Sequence, residues 1–236
     1  MKALASADFD LRMQEKEAQM KTHQWVYQLL RTNLLCGRIG PGHALTIRGL
    51  AKMLDVSPMP IREALHRLAC EGAVEVKDNR RMIVPVMTIE KFNELCQLRI
   101  LLETHAAVNA LPFIKDADIE KLTQLDKQID LAVEAGEVED IRLINQDFHR
   151  TLYEFNPHQK SVALIESLWL QLGPFSRIVL KKLEKFYLVD RHVEALDALR
   201  NNDAAGLRQA IEADIHDGIA SIKSIDEFRT YFQGVS

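Results

Sequence analysis

The chain has 236 residues, of which 47% are hydrophobic and 27% charged, the balance of a globular protein and not of a fibre or a disordered polymer. No apolar run reaches the length of a membrane span, and the first 21 residues carry acids without an apolar core, so they do not read as a signal peptide. The net charge of −4 is unevenly spread: residues 22–87 hold nine Lys/Arg against five Asp/Glu, a net +4, whereas residues 88–236 hold 17 against 25, a net −8. A basic segment joined to an acidic one suggests that only the first meets phosphates. Cys36, Cys70 and Cys96 are odd in number and far apart, which fits buried thiols in a reducing cytoplasm better than disulfides.

Residues 1–21 are polar and mixed in charge and read as a flexible arm. Thr22–Cys36 reads as an amphipathic helix with Val26, Leu29, Leu30 and Leu34 on its apolar face and Asn33 as a polar exception. Gly37 and Ile39-Gly40-Pro41-Gly42 stop it. In Thr46–Leu65, Leu50, Ala51 and Leu54 share one face, Val56 makes an apolar corner, and Ile61, Ala64 and Leu65 repeat the spacing. Ser57 stands where an N-cap belongs, and Pro60 falls in the first turn, where its missing N–H costs nothing. The second helix then presents Met59, Arg62 and His66 on its other side. Helix, tight turn and cationic second helix make the shape that enters a DNA major groove. Ala73–Val76 and Met82–Val86 are β-prone runs around the charged tip Lys77-Asp78-Asn79-Arg80-Arg81, a hairpin wing able to reach a minor groove.

From Thr88 the pattern is helical almost to the end. A first helix runs to about Ala110 with Leu95, Leu98, Leu101 and Leu102 as its stripe, ended by Pro112. Asp116–Ala135 follows, with Ile119, Leu122, Leu125, Ile129 and Ala132 recurring at three and four, closed by Gly136. Asp140–Phe155 is ended by Asn156-Pro157. Gln159–Gly173 bends at Pro174 and resumes to about Lys185. Asp190–Arg200 and Asp203–Ile222 form the last pair. The fold class expected is mainly α: a winged helix-turn-helix over 22–87 and an all-α bundle of about six helices over 88–222, with a tail at 223–236.

The phrases PGHAL, LAKMLDVSPMPIREALHRLACEGAVEV and IVPV resemble the GntR family of bacterial transcription regulators. The bundle resembles the FCD ligand-binding domain of the FadR subfamily in LRILLE (98–103), NQDFHRTLYE (145–154) and RHVEALDALRNND (191–203). The resemblance implies a homodimer on a palindromic operator in double-stranded DNA, with Arg48, Ser57, Met59, Arg62, Arg80 and Arg81 at the DNA. Arg67 reads as solvated or structural. Two positions depart from the family pattern: Pro58 replaces an Arg, and Arg81 replaces the wing Gly. The resemblance also implies a divalent metal inside the bundle. The family's Asp and three His fall on Asn145, His149, His192 and Asp214, so two imidazoles remain beside an amide and a carboxylate. Such a set suits Zn, Mn, Ni or Fe. His216 lies about 200° round the helix from Asp214, so only one of them can face inward. A metal-free hydrogen-bond network is the alternative reading of the same residues. A small organic acid effector would pair with Arg99 or Arg177, unless Arg99 is held by Glu103 four residues on.

The function expected is that of a ligand-responsive repressor in the cytoplasm, with no membrane partner. A regulator that senses metal alone is the next reading. A metalloenzyme ranks lowest, because no Glu-x-x-His pair of the di-iron type or nucleophile motif accompanies the bundle histidines.

Overall fold

The computed structural model of the chain describes residues 10–77, 81–175 and 191–223, and the backbone divides into two units. Of the described residues, the first takes in those up to Thr88 together with 169–175, and the second begins at Ile89. Among the described residues no helix is long and apolar enough to cross a membrane.

In the first unit, α1 (Thr22–Leu35) buries Val26, Leu29, Leu30 and Leu34, the expected face. Asn33 is buried with them because its amide serves the chain before the helix: Arg12 N donates to Oδ1 at 2.7 Å, and Nδ2 donates to Arg12 O at 3.1 Å. Trp25 Nε1 donates to Gln14 O at 2.9 Å, and Leu11 is buried. Residues 12–14, part of the arm read as flexible, are thus held along α1 by hydrogen bonds between their backbone groups and the Asn33 and Trp25 side chains.

α2 (Ile47–Met53) is capped by Thr46, whose hydroxyl accepts from Gly49 N at 3.2 Å. α3 (Pro58–Cys70) follows a turn in which Asp55 takes φ 51°, a left-handed conformation that Asp tolerates better than branched residues. Ile61, Ala64, Leu65 and Leu68 form its buried face, packed on α1 and α2. The wing is a three-stranded antiparallel sheet in the order β1 (Ala44–Leu45), β3 (Met82–Ile83), β2 (Glu75–Val76). Leu45 and Val76 both face Met82 in register. Both hairpin strands are shorter than the sequence runs suggested. β1 escapes sequence reading because two residues cannot show a period of two. Gly173-Pro174-Phe175 forms a 3-10 turn packed on α1 in this unit.

The second unit holds α4 (Ile89–Ala110), a 3-10 turn at Leu111–Phe113, α5 (Asp116–Ala135) and α6 (Val138–Glu154). α7 (Val162–Leu172) begins there; α8 (His192–Arg200) and α9 (Ala204–Lys223) complete it. α5 has the expected bounds: its apolar stripe packs on α6, and Gly136 at φ 70° supplies the left-handed cap. α7 starts three residues later than expected. Asn156 Nδ2 and Gln159 Nε2 instead donate to Asn109 O and Ala106 O, filling carbonyls at the end of α4.

α4 corrects the expected stripe. Its buried side is Phe92, Leu95, Cys96, Glu103, Thr104, Ala106, Ala107 and Ala110. Leu98 is exposed, and Leu101 is 64% exposed. The helix is apolar on two faces, and the face with small residues is the one its neighbours can approach closely. Cys36 and Cys96 are buried, but Cys70 is exposed, unlike the buried thiol expected.

Candidate functional site

Two sites emerge, one in each unit. In the first, α3 turns Met59, Arg62 and His66 outward opposite its buried face. Met59 is 61% exposed, a large apolar side chain held in water at the start of the helix. Ser57 is the N-cap by position, yet its hydroxyl makes no cap bond. Pro58 and Pro60 remove two of the N–H groups that would open the helix toward an anion. Contact from this end of α3 therefore rests on side chains. Arg48 is exposed in the first turn of α2, and Arg81 is exposed beside β3. Arg80 lies outside the described residues.

Arg67 has a structural place. Its guanidinium carbon lies 3.7 Å from the centre of the Tyr27 ring, and Nε donates to Glu71 Oε1 at 3.2 Å. Tyr27 OH donates to the same carboxylate at 2.8 Å. Burial and then the Glu71 carboxylate push the Tyr27 hydroxyl up to about 12.

In the second unit, α6 stacks Asn145, His149 and Tyr153 at intervals of four on one helical face. His192 is the first residue of α8, and Asp214 comes from α9. Arg191, just before α8, holds these two helices in register by donating from Nε to Asp217 at 2.9 Å. One ligand atom from each of His149, His192 and Asp214 lies within 4.8 Å of the other two. His149 Nε2 is 3.2 Å from Asp214 Oδ2 but makes no hydrogen bond, and it is buried. Asn145 Nδ2 stands 3.3 Å from His192 Nε2. All four residues expected at the metal therefore meet. His216 points away, its side chain 60% exposed and 3.8 Å from Glu212 Oε1. Of the two alternatives on α9, Asp214 is the inward one.

Burial alone would raise the Asp214 carboxyl. Contact with His149 and the charges of His149, His192 and Arg99 outweigh it and hold the group down at about 2. It is an anion at neutral pH.

Other buried groups complete the cluster. His192 Nδ1 is 3.0 Å from Asp126 Oδ1. His149 Nδ1 is 3.2 Å from Tyr153 OH, which donates to Glu103 Oε2 at 3.1 Å. Arg99 Nε donates to Glu103 Oε1 at 2.7 Å, and the Glu103 side chain is fully buried. Burial works against the Arg99 charge, but the adjacent Glu103 carboxylate more than restores it and pushes the guanidinium up. Burial and Glu103 drive the Tyr153 hydroxyl well above its usual range, so it keeps its proton. The ring of Phe148 stacks on His192 at 4.0 Å. Arg177, the other effector candidate, lies outside the described residues.

Asp126 was missed by sequence reading. Its signal was an acid at a core position: Leu122, Asp126 and Ile129 share the buried side of α5.

The donor set fits a divalent metal. Two imidazoles and a carboxylate converge, and a buried ring nitrogen lacks a hydrogen-bond partner.

Residues 22–84 match the family described as bacterial regulatory proteins, gntR family, and residues 94–217 match the FCD domain. The HTH-type transcriptional regulator McbR of Escherichia coli K12 is 28% identical over 195 residues, covering 81% of this chain and 88% of McbR. The HTH-type transcriptional repressor RspR of the same organism is 22% identical over 204 residues, covering 86% of this chain and 90% of RspR. The solved structure of E. coli McbR/YncC superposes with a TM-score of 0.80 at 26% identity, covering 87% of this chain and 98% of that one.

Proposed function

Because this chain belongs to the gntR family of bacterial regulatory proteins, carries an FCD domain and is a transcription regulator, not an enzyme, we propose that it is a dimeric repressor. In this reading its helical domain holds a divalent metal and responds to a small organic acid. The observation that carries this is the convergence of His149, His192 and Asp214 in the unit that follows a reader helix with Met59 and Arg62 exposed.

At the DNA, Arg62 would reach base edges or phosphates from α3, with Arg48 and Arg81 contributing from α2 and the wing. Two copies would place two α3 helices in successive major grooves, roughly 34 Å apart. Exposed Leu98 and Leu101, one turn apart on α4, offer an apolar face to the second copy. RspR is named a repressor, which supports the same sign of control here.

In the bundle, His149, His192 and Asp214 would hold the metal, with the Asn145 amide beside them. A bound divalent ion supplies positive charge and open coordination positions for an oxygen ligand. Arg99 would meet the other end of an organic acid with its two amino groups, which carry no hydrogen bond among the described residues. The acid must prefer one arrangement of the dimer over another for it to change DNA affinity, and DNA then changes acid affinity by the same factor.

The lock of Glu103 on Arg99 Nε favours a second reading in which the metal alone is the signal, since part of the guanidinium is already engaged. One experiment addresses both. The chain is titrated onto the DNA upstream of its own gene, metal-free, with Zn2+ or Mn2+, and with metal plus a panel of small carboxylates. A response only with acid present supports the first reading; a response to metal alone supports the second. Arg62→Ala should abolish binding while leaving the helical content intact, and retained affinity refutes the DNA assignment. His149→Ala with His192→Ala should remove bound metal by elemental analysis, and unchanged metal content dismisses the centre.

A further inference from the structure

A buried carboxylate stands behind each imidazole of the bundle cluster. Asp126, on α5, faces His192 Nδ1 directly at 3.0 Å. Glu103, on α4, faces His149 Nδ1 through one hydroxyl, that of Tyr153, over contacts of 3.1 and 3.2 Å. We infer that Asp126 and the Glu103–Tyr153 pair are positioning residues that hold both rings with the proton on Nδ1 and the lone pair on Nε2. The donor triangle is thus shaped before any ion arrives. The inference rests on the reading of that triangle as a metal centre.

The tautomers follow from the partners. A carboxylate only accepts hydrogen bonds, so the His192 nitrogen facing Asp126 must carry the proton. Its Nε2 is then a lone pair, and Asn145 Nδ2 at 3.3 Å is placed to donate to it. Tyr153 has one hydroxyl proton, and Glu103 Oε2 takes it. The hydroxyl oxygen is left to accept from His149 Nδ1–H.

For His149 there is competition. Asp214 lies 3.2 Å from Nε2 and would draw the proton to that side, closing the donor. That contact lacks hydrogen-bond alignment, whereas the Nδ1 side is a continuous buried chain ending at Arg99. The chain wins, and Nε2 is the buried nitrogen left without a hydrogen-bond partner. The hydrogen-bonded acceptor behind each ring also raises the basicity of the open nitrogen.

The test reads ring nitrogens first and metal second. The metal-free full chain, with 15N in its histidine rings, is examined by long-range 1H–15N spectra. Both His149 and His192 should show a protonated Nδ1 and a bare Nε2. Asp126→Ala should disturb His192 and leave His149 unchanged; Asp126→Asn, which restores an acceptor oxygen, should return the wild-type pattern. Tyr153→Phe should disturb His149 and leave His192 unchanged. Competition with a chromophoric chelator for Zn2+ should show affinity weakened about 10- to 100-fold in Asp126→Ala. Wild-type ring patterns in Asp126→Ala, or equal disturbance of both rings by either variant, overturns the inference. A wild-type chain that takes up no Zn2+ overturns the metal reading instead, and the ring nitrogens still decide the inference.

Discussion

His149 Nε2 and Asp214 Oδ2 stand 3.2 Å apart, and the same turn of α9 that brings Asp214 to this point carries His216 to the opposite side. A residue two places along a helix is rotated about 200°, so the two cannot exchange roles without turning α9 as a whole. The helix is fixed against that by its packing on α4 and α8 and by the Arg191–Asp217 pair. Asp214→Ala should therefore strip the metal from the purified protein, and His216→Ala should leave its metal content unchanged. Elemental analysis of the two variants checks this. Metal loss in the His216 variant alone would reverse the assignment.

Glu103 joins Arg99 and Tyr153 in the interior of the second unit. Truncating it strands a guanidinium that is largely out of water, and an uncompensated buried charge costs about 3–5 kcal/mol. Glu103→Ala should lower stability by roughly that amount in urea unfolding. Glu103→Gln keeps one acceptor oxygen, enough for Arg99 Nε though not for Tyr153 at the second oxygen as well, and should lose less. A loss for Glu103→Ala within about 1 kcal/mol would mean that Arg99 finds water when its partner goes.

What was legible in the sequence is what repeats locally. α5 has its expected bounds because a three-and-four stripe ends on a glycine whose φ of 70° other residues resist. Asn145 and His149 share a face by spacing alone. The family phrases then bring in His192 and Asp214, which spacing cannot relate to α6. Contacts between distant polar residues left no such trace. Asp126 and Asn33 each interrupt an apolar stripe, and the interruption says that something is buried but not what answers it. The answers lie 66 residues away for Asp126 and 21 for Asn33. α4 misled in the opposite way, since leucine at Leu98 and Leu101 imitates a core face on the side that its neighbours leave open.

Tyr27 gives the first unit a pH dependence of known sign. The folded hydroxyl is held up to about 12 by burial and by Glu71, above its ordinary value of 10.0. Folded protein thus keeps a proton that unfolded chain loses. The contribution is fully present below pH 10, and it declines from there until the folded hydroxyl itself ionises near 12. Wild-type stability should fall between those limits more steeply than that of Tyr27→Phe, which has no proton to lose. Chemical unfolding of both proteins across alkaline pH checks the difference, and parallel curves would remove Tyr27 as the cause.

Gly173 packs against the backbone of α1 and not against movable side chains. A Cβ built there would lie 2.6 Å from Leu34 O and 2.8 Å from Leu35 Cα, so the helix or the 3-10 turn must shift to admit a methyl group. Overpacking of this kind costs about 1–3 kcal/mol. Gly136 offers the contrast: its Cβ would meet nothing within 4 Å, and only its φ of +70° opposes substitution. Gly173→Ala should lower the thermal midpoint through the unit that carries α3, and Gly173→Val should lower it further. Gly136→Asn should be tolerated, because Asn accepts the left-handed region. Gly173→Ala should also weaken DNA binding near its lowered midpoint while bound metal stays at the wild-type level, because the metal ligands belong to the other unit. A Gly173→Ala protein that melts with wild type would show that the turn at Gly173–Phe175 can lift off α1 at no cost.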